Sequence, residues 1–174
     1  MKTIVIYNSQ TGFTKRYALW IAKAAGADCL PVSDAKKKDL SAYGAIIYGG
    51  WACAGSIHKI SWFKKHALQW AGQKKLIAFC VGASPAESPD IVTALEQNFH
   101  DPELKNVHLF YCPGGLCYEK MSASSRLMMK LFIKTLKAKK NQTPQEQEMI
   151  RILSSSYDIS DKKYIRPVLQ CLNQ

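Results

Sequence analysis

Apolar and polar positions along the chain alternate between two rhythms. Five short runs are apolar almost without a break: Thr3–Tyr7, Ala27–Val32, Ala45–Tyr48, Leu76–Val81 and Val107–Tyr111. Most are bounded by Gly, Pro or Ser, which suits strands covered on both faces. Between them the apolar residues return at three- and four-residue steps. Phe13–Ala25 places Tyr17, Ile21 and Ala24 on one helical face, and Ile57–Ala71 aligns Ile60, Phe63, Ala67 and Trp70. Pro89–Phe99 reads as a further helix, with Pro89 tolerated in its first turn. Ser33–Ser41 leaves room for at most a short helix.

Strands alternating with helices predict an α/β fold with right-handed crossovers. The expected architecture is one domain over residues 1–174. It has a five-stranded parallel sheet of order 2-1-3-4-5, helices on both faces and a helical insertion after strand 5, at about 117–143. Ligands of such sheets collect at the carboxyl ends of the strands, near the switch between strands 1 and 3.

Three loops fall at those ends. The first is Ser9-Gln10-Thr11-Gly12-Phe13-Thr14, directly after strand 1 and at a helix start. Amide groups at a helix start, joined by hydroxyls and free of acids, form a cradle for a phosphate, and Gly12 lets the backbone approach closely. A bound phosphate would also offset Lys15 and Arg16, cations set where the helix dipole disfavours them. The competing reading is a plain capped turn with Thr11 or Thr14 as N-cap. The spacing fits neither the Walker loop nor the dinucleotide fingerprint. The second loop, Gly49 to Ser56, has paired glycines and small side chains that leave room for a flat ligand. Trp51 could stack on that ligand or pack on the sheet edge, Ser56 could cap the next helix, and Cys53 reads as a small filler. The third, Gly82-Ala83-Ser84-Pro85-Ala86-Glu87-Ser88, is again small and polar. Phosphoacceptor receivers use a related sheet but need acids after strands 1 and 3, where this chain has Asn8-Ser9 and Gly49-Gly50.

The chain resembles the flavodoxin family on these residues, with Ser9-x-Thr11-Gly12-x-Thr14 matching that family's phosphate loop. The resemblance covers roughly Met1 to Leu116 and implies FMN as cofactor. Ser9, Gln10, Thr11, Gly12, Phe13 and Thr14 would take its phosphate. Gly50, Trp51, Ala52, Cys53 and Gly55 of the second loop and Gly82, Ala83 and Ser84 of the third would flank the isoalloxazine. The third loop lacks the tyrosine that often covers the ring.

Charge changes the picture late in the chain. The net charge is +11, of which +4 lies before Lys120 and +7 from Lys120 onward. Residues 120–140 hold seven basic side chains and no acidic one. At about 100° per residue, Arg126, Lys130, Lys134 and Lys137 fall within about 80° of one another. Leu127, Met128, Met129, Leu131, Phe132, Ile133 and Leu136 fill most of the remainder, more than a core-facing helix needs. Two readings compete: a deeply packed helix with one wet stripe, or a surface that meets something apolar and anionic, such as a bilayer surface, a quinone or a partner protein. Thr143-Pro144-x-Glu146 then looks like the capped start of another helix.

This insertion, with Phe63-Lys64-Lys65-His66-Ala67, resembles the menaquinone-dependent protoporphyrinogen dehydrogenases within the flavodoxin family. That resemblance implies an FMN-dependent oxidoreductase with a quinone acceptor and a porphyrinogen-type substrate, whose carboxylates Arg126, Lys130 and Lys134 would attract. The alternative is a non-enzymatic electron carrier docking on an acidic redox partner. No catalytic side chain is assigned; His58 and His66 are candidate proton carriers by location only. Six cysteines without C-x-x-C or zinc spacing point to no metal and to a reducing, cytoplasmic compartment, with peripheral membrane contact through 120–140 as an added expectation. Cys29, Cys80 and Cys112 read as buried thiols. No aromatic or zinc motif supports nucleic-acid binding.

Overall fold

The computed structural model describes residues 1–53, 55–88, 91 and 106–174. Strand β1 (Thr3–Tyr7) lies between β2 (Asp28–Pro31) and β3 (Ala45–Cys53), and β5 (Lys75–Gly82) and β6 (Val107–Pro113) extend the sheet beyond β3. All four pairings are parallel, giving the order β2-β1-β3-β5-β6. With the two-residue β4 (Ser56–Ile57) set aside, this is the expected 2-1-3-4-5 arrangement.

Side chains alternate across the sheet, so each buried strand feeds two cores. Ile4, Ile6, Ile46, Tyr48, Ala78 and Cys80 pack under α2 (Val32–Ala35) and α3 (Ile60–Trp70). Val5, Ile47, Ile77, Phe79 and Val81 pack under α1 (Phe13–Ala25) and α6 (Arg166–Asn173), which contributes Val168 and Cys171. This two-sided burial is why the strands read as continuous apolar runs.

Two boundaries differ from the pattern reading in ways that matter for the site. Strand β3 runs past Tyr48 through Gly49-Gly50-Trp51-Ala52 to Cys53 and turns back, with Ala52 opposite Ile57 and Cys53 opposite Ser56. The second loop is therefore mostly strand and hairpin. Ile57 is taken from the expected helix and Ser56 from its expected cap, and α3 starts at Ile60 behind Lys59. The helix expected over Pro89–Phe99 lies outside the described residues, apart from Ile91.

After β6 come β7 (Gly115–Leu116), a 3-10 turn at Tyr118–Lys120, α4 (Ala123–Lys137) and α5 (Pro144–Leu153). β8 (Tyr157–Asp158) then pairs antiparallel with β7. Helix α4 is capped by Ser122, whose hydroxyl accepts from the Ser125 amide at 3.2 Å. Helix α5 carries the expected capping box: Thr143 Oγ1 accepts from the Glu146 amide at 3.2 Å, and Glu146 Oε2 from the Thr143 amide at 3.0 Å. Deep packing is not what α4 does, since only Leu136 on it is buried. Leu127, Met128, Leu131 and Phe132 are 58%, 54%, 54% and 47% exposed. Cys80 and Cys112 are buried as expected; Cys29 is half-buried because β2 is the edge strand.

Candidate functional site

The carboxyl ends of β1, β3 and β5 open into a cavity of about 440 Å³. Its first wall is the loop after β1, through Gln10, Thr11, Phe13 and Thr14. Gly12 stands at the N-cap of α1 with φ 103°, and no side chain caps the helix; Thr11 and Thr14 do not take that role. The amide of Gly12 is held by Ser9 Oγ at 3.2 Å, and its carbonyl accepts the first helical bond from Arg16 at 2.9 Å. The amides of Phe13, Thr14 and Lys15 thus begin the helix, where no preceding turn can supply a carbonyl. Arg16 needs no phosphate to offset it: its Nη1 donates to Asp158 at 2.5 Å and to Ser160 at 2.6 Å, tying α1 to β8.

Trp51, Ala52 and Cys53 form the second wall, and Val81, Gly82 and Ala83 the third. Trp51 lines the cavity and stacks on His58, with ring centroids 4.4 Å apart. His58 is placed by Asn8, whose Nδ2 lies 2.6 Å from His58 Nδ1. With the amide nitrogen of Asn8 facing it, Nδ1 accepts and Nε2 carries the proton. Burial, followed by the neighbouring Lys59, holds the His58 pKa below its ordinary value, so the ring is kept neutral. His66, the other histidine considered, sits on α3 between Trp62 and Trp70 and does not line this cavity.

Two phenols fix the third loop. Tyr157 donates to the Ala83 carbonyl at 2.5 Å. Tyr111 accepts from the Ser84 amide at 3.1 Å and donates to the Ser84 carbonyl at 2.8 Å. Burial pushes the Tyr157 phenol up to about 12, so it stays a proton donor across the neutral range.

The fourth wall comes from the insertion and was missing from the sequence assignment. Met121, Met128, Met129 and Phe132 close the cavity with Leu116, and Ser125 adds one hydroxyl. The excess apolar width of α4 was the available signal, but it does not say what the helix faces. Gln10 Nε2 donates to Ser122 Oγ at 3.2 Å, linking the first loop to the start of α4.

Of the fourteen expected cofactor residues, Gln10, Thr11, Phe13, Thr14, Trp51, Ala52, Cys53, Gly82 and Ala83 line the cavity. Ser9 and Gly12 shape the first loop from behind. Gly50 is buried within β3, Gly55 lies in the β3–β4 turn, and Ser84 is held away by Tyr111. The site suits a planar group with an anionic tail: apolar walls, one end opening on helix amides, and no carboxylate among the lining residues. Among the described residues no group of three His, Cys, Asp or Glu could hold a metal, and no helix is long and apolar enough to cross a membrane.

The family model for the Flavodoxin domain matches residues 4–143. No curated protein matches the chain. Among solved structures it is similar to a flavodoxin from the domain Archaea, at 18% identity over 64% of this chain and 78% of that one, TM-score 0.42. It is also similar to a flavoprotein in complex with FMN from Lactobacillus acidophilus, at 16% identity over 64% and 91%, TM-score 0.44. A third is a WrbA-like flavodoxin from Agrobacterium tumefaciens, at 18% identity over 87% and 94%, TM-score 0.42.

Proposed function

The chain belongs to the flavodoxin domain family and binds FMN, and from that premise we propose an FMN-dependent oxidoreductase acting on a bulky, apolar, anionic substrate. The loop from Ser9 to Thr14, with the opening amides of α1, would hold the FMN phosphate, and the Trp51–Cys53 and Gly82–Ala83 walls would flank its ring. When bound, FMN supplies the electron-accepting and electron-donating ring. The chain itself binds, orients and excludes water: Tyr157 and Tyr111 hold the third wall rigid, and Asn8 holds His58, which backs Trp51. His58 is a positioning residue here, since it touches Trp51 and not the reacting atoms.

The observation that carries the substrate half of the reading is the roof of methionines and Phe132 on α4. A flat apolar substrate fits under such a roof, and Arg126, Lys130 and Lys134 on the exposed side of the same helix attract carboxylates. A porphyrinogen-type donor with a quinone acceptor meets both demands. Leu127 and Leu131 beside these lysines favour contact with an anionic membrane surface, the source of a quinone.

The test is anaerobic turnover of protoporphyrinogen by the FMN-loaded protein with a soluble menaquinone analogue. Turnover that falls about tenfold in Phe132→Asp, with FMN still bound, supports the reading. Reduction only through protein partners, with porphyrinogen and quinone both inert, replaces it with an electron carrier docking on an acidic partner.

A further inference from the structure

A second concavity, of about 420 Å³, lies at the other end of the sheet, where the chain enters β3 and β5. One wall is a stripe of rings on α3. Trp62, His66 and Trp70 follow at four-residue steps and so share a face. Their centroids are 4.7 and 5.3 Å apart in sequence along the stripe. All three are half-buried and line the cavity, and Trp62 and Trp70 rest on the core below. His66 Nδ1 donates to the Trp62 carbonyl at 2.8 Å, which fixes the ring and leaves Nε2 without a protein partner among the described residues.

The facing wall is cationic. Lys36, Lys38 and Lys74 line the cavity against a single acid, Asp39. Both carboxylate oxygens of Asp39 are engaged by Ser41, each at 2.8 Å. Lys74 Nζ donates to the carbonyls of Ser41 at 2.9 Å and Tyr43 at 2.5 Å, which are neutral acceptors, and its charge is felt by Asp39 without a direct ion pair. Lys38 has a long 3.7 Å pair with Asp28, and Lys36 makes no ion pair among the described residues. A ring wall facing a surplus of ammonium groups repels cations and accepts a flat anion.

We propose that this concavity is a second binding site, separate from the FMN cavity, for a planar aromatic anion of mononucleotide size. The ring stacks along Trp62, His66 and Trp70, and the anionic group is held by Lys36 and Lys74. The volume lies within the range of small-molecule sites. The proposal does not depend on FMN binding, because no residue of this cavity lines the other.

The test is NMR of the four tryptophan indole N–H signals in the full-length protein, loaded with FMN or, should FMN fail to bind, without it. The probes are adenosine 5′-monophosphate, indole-3-acetate, adenosine and inorganic phosphate. Either of the first two should shift the Trp62 and Trp70 signals saturably and leave Trp20 unmoved; which one does so separates a phosphate from a carboxylate ligand. Adenosine and phosphate alone should bind at least about tenfold more weakly. Lys36→Glu, on an exposed side chain, and Trp70→Leu should each weaken binding about tenfold, while Trp70→Phe retains it. Absence of saturable shifts at Trp62 and Trp70 overturns the proposal. So does binding unchanged in Lys36→Glu, or phosphate alone binding as tightly as the nucleotide.

Discussion

Replacing Gly12 by Ala tests the phosphate cradle with an internal control at the opposite end of the same helix. Gly12 precedes α1 with φ 103°, and Gly26 follows it with φ 60°. A Cβ on either meets no heavy atom within 4 Å, so both substitutions add backbone strain without a clash. In the left-handed basin of Gly26 an alanine costs about 1–2 kcal/mol. The Gly12 angle lies outside that basin, so the cost there is about 2–3 kcal/mol, toward the top of the range for strained residues. The two strains should appear in different measurements. Gly26 is locked by its amide bond to the Ala22 carbonyl, so Gly26→Ala should lower the Tm of the apo chain by about 5 °C and leave FMN affinity unchanged. Before Gly12 the loop is tied only through the Ser9 hydroxyl and the exposed Gln10–Ser122 bond, so the free loop relaxes there and the strain returns when a phosphate draws the Gly12 backbone back into the cradle. FMN affinity of Gly12→Ala should fall about 30- to 150-fold, with a smaller loss of Tm. Calorimetry of the apo proteins and quenching of FMN fluorescence on titration read the two quantities. If Gly12→Ala binds FMN as tightly as Gly26→Ala does, the loop after β1 does not hold the phosphate.

Tyr157→Phe removes the bond to the Ala83 carbonyl and should cost about 1 kcal/mol, or about 3 °C in Tm, with weaker FMN binding from a loosened third wall. Thermal melts with and without FMN separate the two effects. His58, held below the ordinary pKa by burial and Lys59, binds fewer protons folded than unfolded. Its contribution is therefore full above the ordinary value of 6.5 and declines as pH falls through the window below it. His58→Gln, which keeps an acceptor for Asn8, should flatten the fall in Tm between about pH 7 and pH 5; an unchanged slope rejects this account. Reversing Lys130 and Lys134 to Glu should cut co-sedimentation with anionic vesicles at least about tenfold, and unchanged partitioning removes the membrane contact from the proposed function.

The parallel sheet was legible because burial on both faces leaves nothing polar to interrupt a strand. Phe13–Ala25 was read to the residue because glycines at positive φ bracket it. The reading failed where one apolar segment could serve two ends. Gly49 to Cys53 looked like a loop because its glycines and small residues carry no period, yet the segment continues β3 and folds back on Ile57. The site showed the same division. Hydroxyl and glycine chemistry after β1 is local, and local sequence revealed it. The clamp on Ala83 comes from Tyr157, 74 residues away, and the partner of Arg16 from Asp158, 142 residues away. Neither pairing leaves a mark in a single sequence.

The unused apolar surface of α4 argues that this helix is shaped by what it binds. Fully burying a Leu, Met or Phe side chain contributes about 1.5–3 kcal/mol, so leaving Leu127, Met128, Leu131 and Phe132 about half exposed forgoes on the order of 3–6 kcal/mol of folding free energy. A helix serving only the fold would turn that face inward, as α1 does with Tyr17, Ala18 and Ile21. Instead α4 buries only Leu136 fully, and its other ties are polar and peripheral: the Ser122 cap, the Gln10 link, and the bonds from Gln142 to its last carbonyls. Met128 and Phe132 line the cavity at the strand ends, while Leu127 and Leu131 are not among its lining residues. On the proposed reading the loops at the β1, β3 and β5 ends, and not the sheet alone, receive the cofactor. On the proposed function the roof selects what meets that cofactor, and a substrate or a surface covering it would supply the burial its apolar face lacks.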